Sequence, residues 1–196
     1  MILRGANLII KGLEREDLKT RHLWLNDPEV TMFFTNLGAF PISETELTGW
    51  YENVCNKKPQ ELHFSIFRGE SAHIGGAQLK SLDWKNRSAE LGIFIGEKNE
   101  WGKGYGTEAT RLLTDYGFTT LNLHRIWLRV DQDNRAALRC YQKTGFVQEG
   151  IFREEVYRDG SFHDSIVMSI LHVDAHIHNV SITYPVSTPL PQTDEG

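Results

Sequence analysis

Hydrophobic positions along the chain fall into short bursts, and the polar residues between them carry turn and cap signals. Leu8-Ile9-Ile10 is an apolar run that predicts a first strand. Glu14 to Trp24 reads as a helix whose acidic opening suits the positive end of its dipole, and Asn26-Asp27-Pro28 breaks it. Ser43 and Glu46 have the spacing of a capping box and start a helix to about Asn56, closed by Lys57-Lys58-Pro59. His63 to Phe67 predicts a strand that turns at Arg68-Gly69-Glu70. Ile74 to Asp83 and Ala89 to Ile95 predict two more, joined by the polar Trp84 to Arg87. The run WGKGYGTEAT, Trp101 to Thr110, leads into a helix ending near Leu121. Ile126 to Val130 predicts a strand, and Asp133-Asn134 opens a helix that stops at Thr144-Gly145. Phe146 to Tyr157 and Phe162 to Leu171 predict a last pair of strands, with Arg158-Asp159-Gly160 as their hairpin turn.

This order predicts a mixed α/β (α+β) domain with a partly antiparallel sheet. Three of the six prolines (Pro185, Pro189, Pro191) fall in the last dozen residues beside Ser, Thr, Gln and Asp. The expectation is one domain over 1–175 and a Pro-rich extended tail over 176–196. With 196 residues, 40% of them hydrophobic and 24% charged, the chain is ordinary globular material, long enough to bury a core. Cys55 and Cys140 lie far apart without CxxC spacing, which excludes a disulfide scaffold or zinc-finger frame and suits a reducing compartment. The opening MILRGANLIIKGLERED lacks a signal-peptide core, and no stretch approaches the roughly 18 apolar residues of a membrane span. These readings predict a cytoplasmic protein with no membrane partner.

A formal charge of −5 argues against a nucleic-acid partner, which usually leaves a basic footprint. The charge is unevenly spread. Residues 101–145 carry seven basic and four acidic side chains, whereas residues 146–196 carry two basic and eight acidic ones. The basic window is either a solvated helix face or a site for an anionic ligand.

Within that window, Gly102-Lys103-Gly104-Tyr105-Gly106 lies between a predicted strand and a predicted helix. Glycines there let backbone N–H groups converge, the helix N-terminus adds partial positive charge, and Lys103 can add a full one: a phosphate cradle. The spacing is neither GxxxxGK[ST] nor GxGxxG, since position 107 is Thr. The string WGKGYGTEA after the strand LGIFIG resembles the acyl-coenzyme A pyrophosphate loop of the GNAT acetyltransferases. NRAALRCYQKTGF, Asn134 to Phe146, resembles that family's second signature, N-x-x-A-x-x-x-Y-x-K-x-G-F. LEREDL and DYGFTTLNLHRIWLRVDQDN are similar to the ribosomal-protein N-terminal and spermidine acetyltransferase subgroup. Likeness covers roughly Leu8 to His172. It departs at Trp101, where the superfamily usually has Gln or Arg, so one polar contact to pyrophosphate is missing.

The resemblance implies the GNAT fold: a mostly antiparallel twisted sheet, splayed at the cofactor site, with helices on both faces. It implies transfer of an acetyl group from acetyl-CoA to a primary amine by direct attack in a ternary complex. The cosubstrate contacts it implies are Trp101, Gly102, Lys103, Gly104, Tyr105, Gly106 and Thr107 in the loop, with Ile93, Phe94 and Ile95 on the splayed strand. Asn134, Ala137, Tyr141 and Lys143 on the second-signature helix complete the set. A backbone N–H near Ile93 would serve the oxyanion. Tyr141 would be the general acid for the departing thiolate, against the plain reading of a core aromatic. Glu90 is the candidate base, against an exposed strand-end carboxylate, with Asp83 a weaker choice.

Other residues point less clearly. Cys140 reads as a small buried residue rather than a nucleophile. His172, His176 and His178 read as a solvated or hairpin-end cluster, so no metal is expected. Trp24, Phe33, Phe34, Trp50, Tyr51, Glu155 and Tyr157 would line an acceptor pocket suited to a cationic amine, or would simply be core. Acceptors compatible with this reading are a small-molecule amine or a protein N-terminus. A homodimer through a C-terminal strand or tail is open. The alternatives are a non-catalytic acyl-CoA sensor or interaction module of the same fold and, more remotely, a nucleotide-binding enzyme of another class.

Overall fold

The computed structural model describes residues 2–34, 40–56, 60–175 and 181–183, the last three and residues 55 and 56 by backbone alone. The strands are β1 (Ile2–Arg4), β2 (Leu8–Gly12), β3 (Leu62–Arg68), β4 (Ala72–Asp83), β5 (Ser88–Ile95), β6 (Arg125–Asp131), β7 (Val147–Arg158), β8 (Ser161–Leu171) and β9 (Ser181–Thr183). The helices are α1 (Leu18–Leu25), α2 (Pro28–Thr31), α3 (Glu44–Asn56), α4 (Tyr105–Thr119) and α5 (Arg135–Lys143).

Local signals explain most boundaries. The expected first helix is split into a 3-10 turn over Arg15–Asp17 and α1, with the Asp17 carboxylate accepting from the Glu14 N–H at 3.0 Å. Asn26 ends α1, and Asp27 caps α2 by accepting from the Glu29 N–H, with Pro28 at the first helical position. The Ser43/Glu46 capping box forms in both directions, at 3.2 and 2.9 Å. Lys57, Lys58 and Pro59 lie outside the described residues. Asp159 and Gly160, both at positive φ, make the two-residue turn between β7 and β8.

Among the described residues the strands form one sheet in the order β7-β8-β6-β5-β4-β3-β2-β1-β9. Every neighbour pair is antiparallel except β5 and β6, which are parallel and joined through α4. Sequence reading missed β1, α2 and β9. The first is three residues long, and the last falls at 181–183, within the segment read as a tail, where it pairs with β1.

Helices cover both faces. On one, α4 packs its Leu113 over Leu3, Leu8, Ile10, Ile126 and Leu128 in the main core. On the other, α1 and α3 close a smaller cluster of Leu13, Leu18, Leu25 and Leu47. The pairing of β5 with β6 covers only Ser88–Glu90 against Arg125–Trp127. Beyond that point β5 stays paired to β4 as far as Ile95, and β6 to β8 as far as Asp131. The sheet therefore splays between β5 and β6. Every second residue of each strand directs its N–H and C=O into the gap without a strand partner.

Candidate active site

The splay, the end of α4 and the start of α5 carry most of the residues singled out from sequence. Gly104, at φ 87°, is the N-cap of α4, and no side chain caps the helix. Its first N–H groups, those of Tyr105, Gly106 and Thr107, thus lack intrahelical acceptors and face outward with the positive end of a 15-residue helix. Gly102 is also left-handed, at φ 75°. The indole N–H of Trp101 donates to the Ile95 carbonyl at 2.7 Å and ties the loop to the end of β5. Lys103 is not free: its ammonium bonds the buried carboxylate of Glu100 at 2.9 Å, and Arg68 meets the other oxygen at 3.0 Å. Lys103 first, and Arg68 after it, hold the Glu100 carboxyl below its ordinary range against the opposing effect of desolvation. An anion here meets backbone N–H groups first.

On α5, the Asn134 side chain accepts from the Ala137 N–H at 3.0 Å and caps the helix. Leu138 and Tyr141 are its buried positions. The Tyr141 ring packs against Phe146 at 5.7 Å in the main core, and burial pushes its phenol above the ordinary value of 10. Cys140 packs beside Thr110 and Gly106. Lys143 ends the helix with its side chain exposed.

The opposite face of the gap holds a cleft of about 320 Å³. Ile93, which also packs on the main core, lines it together with Glu90, Gly92, Phe94, Phe33 and Phe34. Tyr141, Asn134 and the glycine loop do not line it. Glu90 is buried, 3.1 Å from the Lys80 ammonium and 3.9 Å from Arg129. Arg129 bonds Glu155 at 2.6 Å, and the second Glu155 oxygen is buried without a partner. Asp83 is held in the β4–β5 turn by the Asn86 backbone and side chain.

The other aromatic candidates divide. Trp24 packs against Gly96, where a Cβ would approach it to 2.1 Å, and does not line the cleft. Tyr51 stacks on Arg15, and Tyr157 is exposed beside Phe162. Trp50 stacks on Arg21, a cleft residue that the sequence reading missed. Arg21 is 8% exposed, lies in the buried stripe of α1 with Leu18, Trp24 and Leu25, and sits over Phe94 as well. Burial lowers it from 12.5 to about 10 against the pull of Asp17. The available signal was a cation on an apolar helix stripe. His172 packs on Phe118; His176 and His178 lie outside the described residues. No group of three or more potential metal ligands occurs among the described residues, and no helix there is long and apolar enough to cross a membrane.

Residues 7–147 match the acetyltransferase (GNAT) domain. The chain belongs to the GNAT acetyltransferases. This GNAT protein is 33% identical over 163 residues to the spermidine N(1)-acetyltransferase of Escherichia coli K12, covering 82% of this chain and 84% of that one. It is 32% identical over 170 residues to the uncharacterized N-acetyltransferase p20 of Bacillus licheniformis, covering 86% and 95%. Its fold superposes on the crystal structure of spermidine N-acetyltransferase from Vibrio cholerae with CoA and spermine, with a TM-score of 0.81, 30% identity, and 87% and 98% of the two chains covered. The protein is accordingly an acetyl-CoA-dependent N-acetyltransferase, and the subgroup seen in the sequence is the right one. Its splayed mixed sheet is the GNAT fold. Acetyl-CoA is the cosubstrate, for which an uncapped helix end beside an open strand edge is a chemically suitable seat.

Proposed function

We propose that this enzyme acetylates a small-molecule primary amine held in the cleft on the α1/α3 face, with Tyr141 as general acid. The observation that carries the reading is Tyr141 itself: a second-signature phenol whose burial keeps it protonated at neutral pH. Gly102 to Thr107 supply backbone N–H groups to the pyrophosphate, with Trp101 anchoring the loop. Ile93, Phe94 and Ile95 lie along the open stretch of β5, for the pantetheine arm and the carbonyl oxygen. Asn134 and Ala137 set the α5 end, and Lys143 supplies charge at its far end. Glu90 takes the proton released by the amine, directly or through water, while Lys80 and Arg129 orient its carboxylate.

A small acceptor fits a cleft of about 320 Å³, near the lower end of the size of small-molecule sites, better than a protein N-terminus does. The named activity of the E. coli and V. cholerae relatives, on spermidine, points to the same class. Thiol release from acetyl-CoA tests it across two sets of acceptors, small amines and short peptides with free N-termini. Release driven by small amines is expected; release driven by peptides alone would replace the proposal. A second copy of the chain could dock along the edge strand β7, which exposes Val147, Ile151, Phe152 and Tyr157.

A further inference from the structure

One charged group in the cleft has no part in the chemistry above. Arg21 as a residue is more than nine-tenths buried, its Nε is buried without a partner, and no described residue gives its guanidinium a hydrogen bond or salt bridge. We propose that Arg21 binds a carboxylate or phosphate carried by the acceptor, so that the acceptor is an amine bearing an anionic group rather than a plain diamine or polyamine. This rests on the reading of the cleft as the acceptor site.

The surroundings are shaped for the guanidinium. Its carbon stands 5.2 Å from the centre of the Trp50 ring and 5.3 Å from that of Phe94. Gly76 packs close on a third side and makes room for the group: a Cβ there would lie 2.9 Å from the Arg21 Nη1. Ring faces stabilise the positive charge but accept none of its in-plane hydrogen bonds, so the N–H fork stays available to a planar carboxylate or a phosphate.

No described residue fills that role. The Asp17 carboxylate already receives the Ser65 hydroxyl at 2.7 Å and the Glu14 N–H at 3.0 Å. Glu90 and Glu155 are taken by Lys80 and Arg129. His63 turns to Glu61, and His73 to Thr20 and the Gly75 carbonyl. The anionic part of the cosubstrate belongs at the end of α4, which packs on the other face of the sheet from α1. Along β5, Glu90 and Phe94 point to the same face, and their backbones lie about 13 Å apart. The cleft thus offers a carboxylate for an ammonium at one end and a guanidinium for an anion at the other.

The test compares acceptors that differ only in the anion: lysine against cadaverine, and phosphoethanolamine against ethanolamine. For at least one pair, the anionic member should be the better acceptor by about tenfold or more in kcat/KM, as a charge-assisted bidentate contact would give. The first pair assigns a carboxylate and the second a phosphate. In Arg21→Met that ratio should fall toward one, mainly through KM, and Arg21→Lys should keep part of it. A ratio at or below one for both pairs overturns the inference, as does a ratio unchanged in Arg21→Met. Loss of coenzyme A affinity in Arg21→Met with the ratio intact would hand the residue to the cosubstrate and overturn it too. Acceptor binding is also read as the thermal shift each amine gives the coenzyme A complex. That readout judges Arg21 even if Tyr141 is not the acid and no panel member turns over.

Discussion

The two faces of the sheet at β5 build their candidate sites from different materials. On the α4 side the site is largely backbone: glycines at positive φ, uncapped helical N–H groups and an open strand edge. On the α1 side it is side chains from six or more elements: Arg21, the residues after α2, Lys80, Glu90, Phe94 and Arg129, with Val156 and Ser165 beyond. A backbone site needs glycine and a helix start in a fixed order, and so leaves a motif. A side-chain site needs only residues that meet in space. The first can be shared by enzymes with different acceptors, and the second can change without disturbing it.

Tyr141→Phe should give the largest effect. Turnover should fall about 100-fold or more, while coenzyme A still raises the melting temperature. Because burial raises the phenol above 10, its acid form persists, and wild-type turnover should show no loss from its ionisation between pH 6 and 9. Full activity of Tyr141→Phe over that range would remove the acid and leave the α4 side a binding site alone.

Gly104→Ala separates the faces more finely. A Cβ at this position meets nothing within 4 Å, so the whole cost is the left-handed backbone, about 1–2 kcal/mol. Coenzyme A affinity should fall about tenfold in a titration, and the KM for the amine should change little. Equal loss on both would mean the two faces are coupled through the loop.

The smallest effect concerns the arginines that neither face uses. Arg125, with Ser169, holds the Glu149 carboxyl well down, from 4.5 to about 2. The folded state thus favours the ionised carboxylate: the stabilisation is full above pH 4.5 and fades as pH falls through about 2. Glu149 is 40% exposed, so solvent screening reduces its worth to about 1 kcal/mol. Glu149→Gln should lower stability by that amount at pH 7, with the gap from wild type closing in acid, and leave coenzyme A affinity alone. A change in that affinity would return Arg125 to the ligand sites.

That pair also shows where sequence reading stopped. The basic window was a candidate site for an anionic ligand, yet its Arg125 and Arg129 spend their charge on Glu149 and Glu155 across the sheet. Charge counts along a chain do not say which charges face each other. Lys103, a candidate for the pyrophosphate, bonds Glu100 three residues away, a pairing that the glycine spacing did not announce. The helix caps at Ser43 and Asn134 and the Asp159-Gly160 turn were legible because each depends on neighbours a few residues off. Arg21 was not, because its meaning comes from Trp50, Gly76 and Phe94, brought to it by three other elements. The β7 bulges were hidden for a like reason: the register shifts near Gln148 and Phe152 exist only relative to β8.

The pairing of β1 with β9 also sets an order of events. Ile2–Arg4 is synthesised before every other described strand of the sheet, and its partner Ser181–Thr183 follows only after all of them. Until then a nascent chain presents an unsatisfied row of backbone donors and acceptors at one margin. Three residues make a short row, too brief to recruit strangers well, and that brevity protects the newborn protein while it waits for its own last strand.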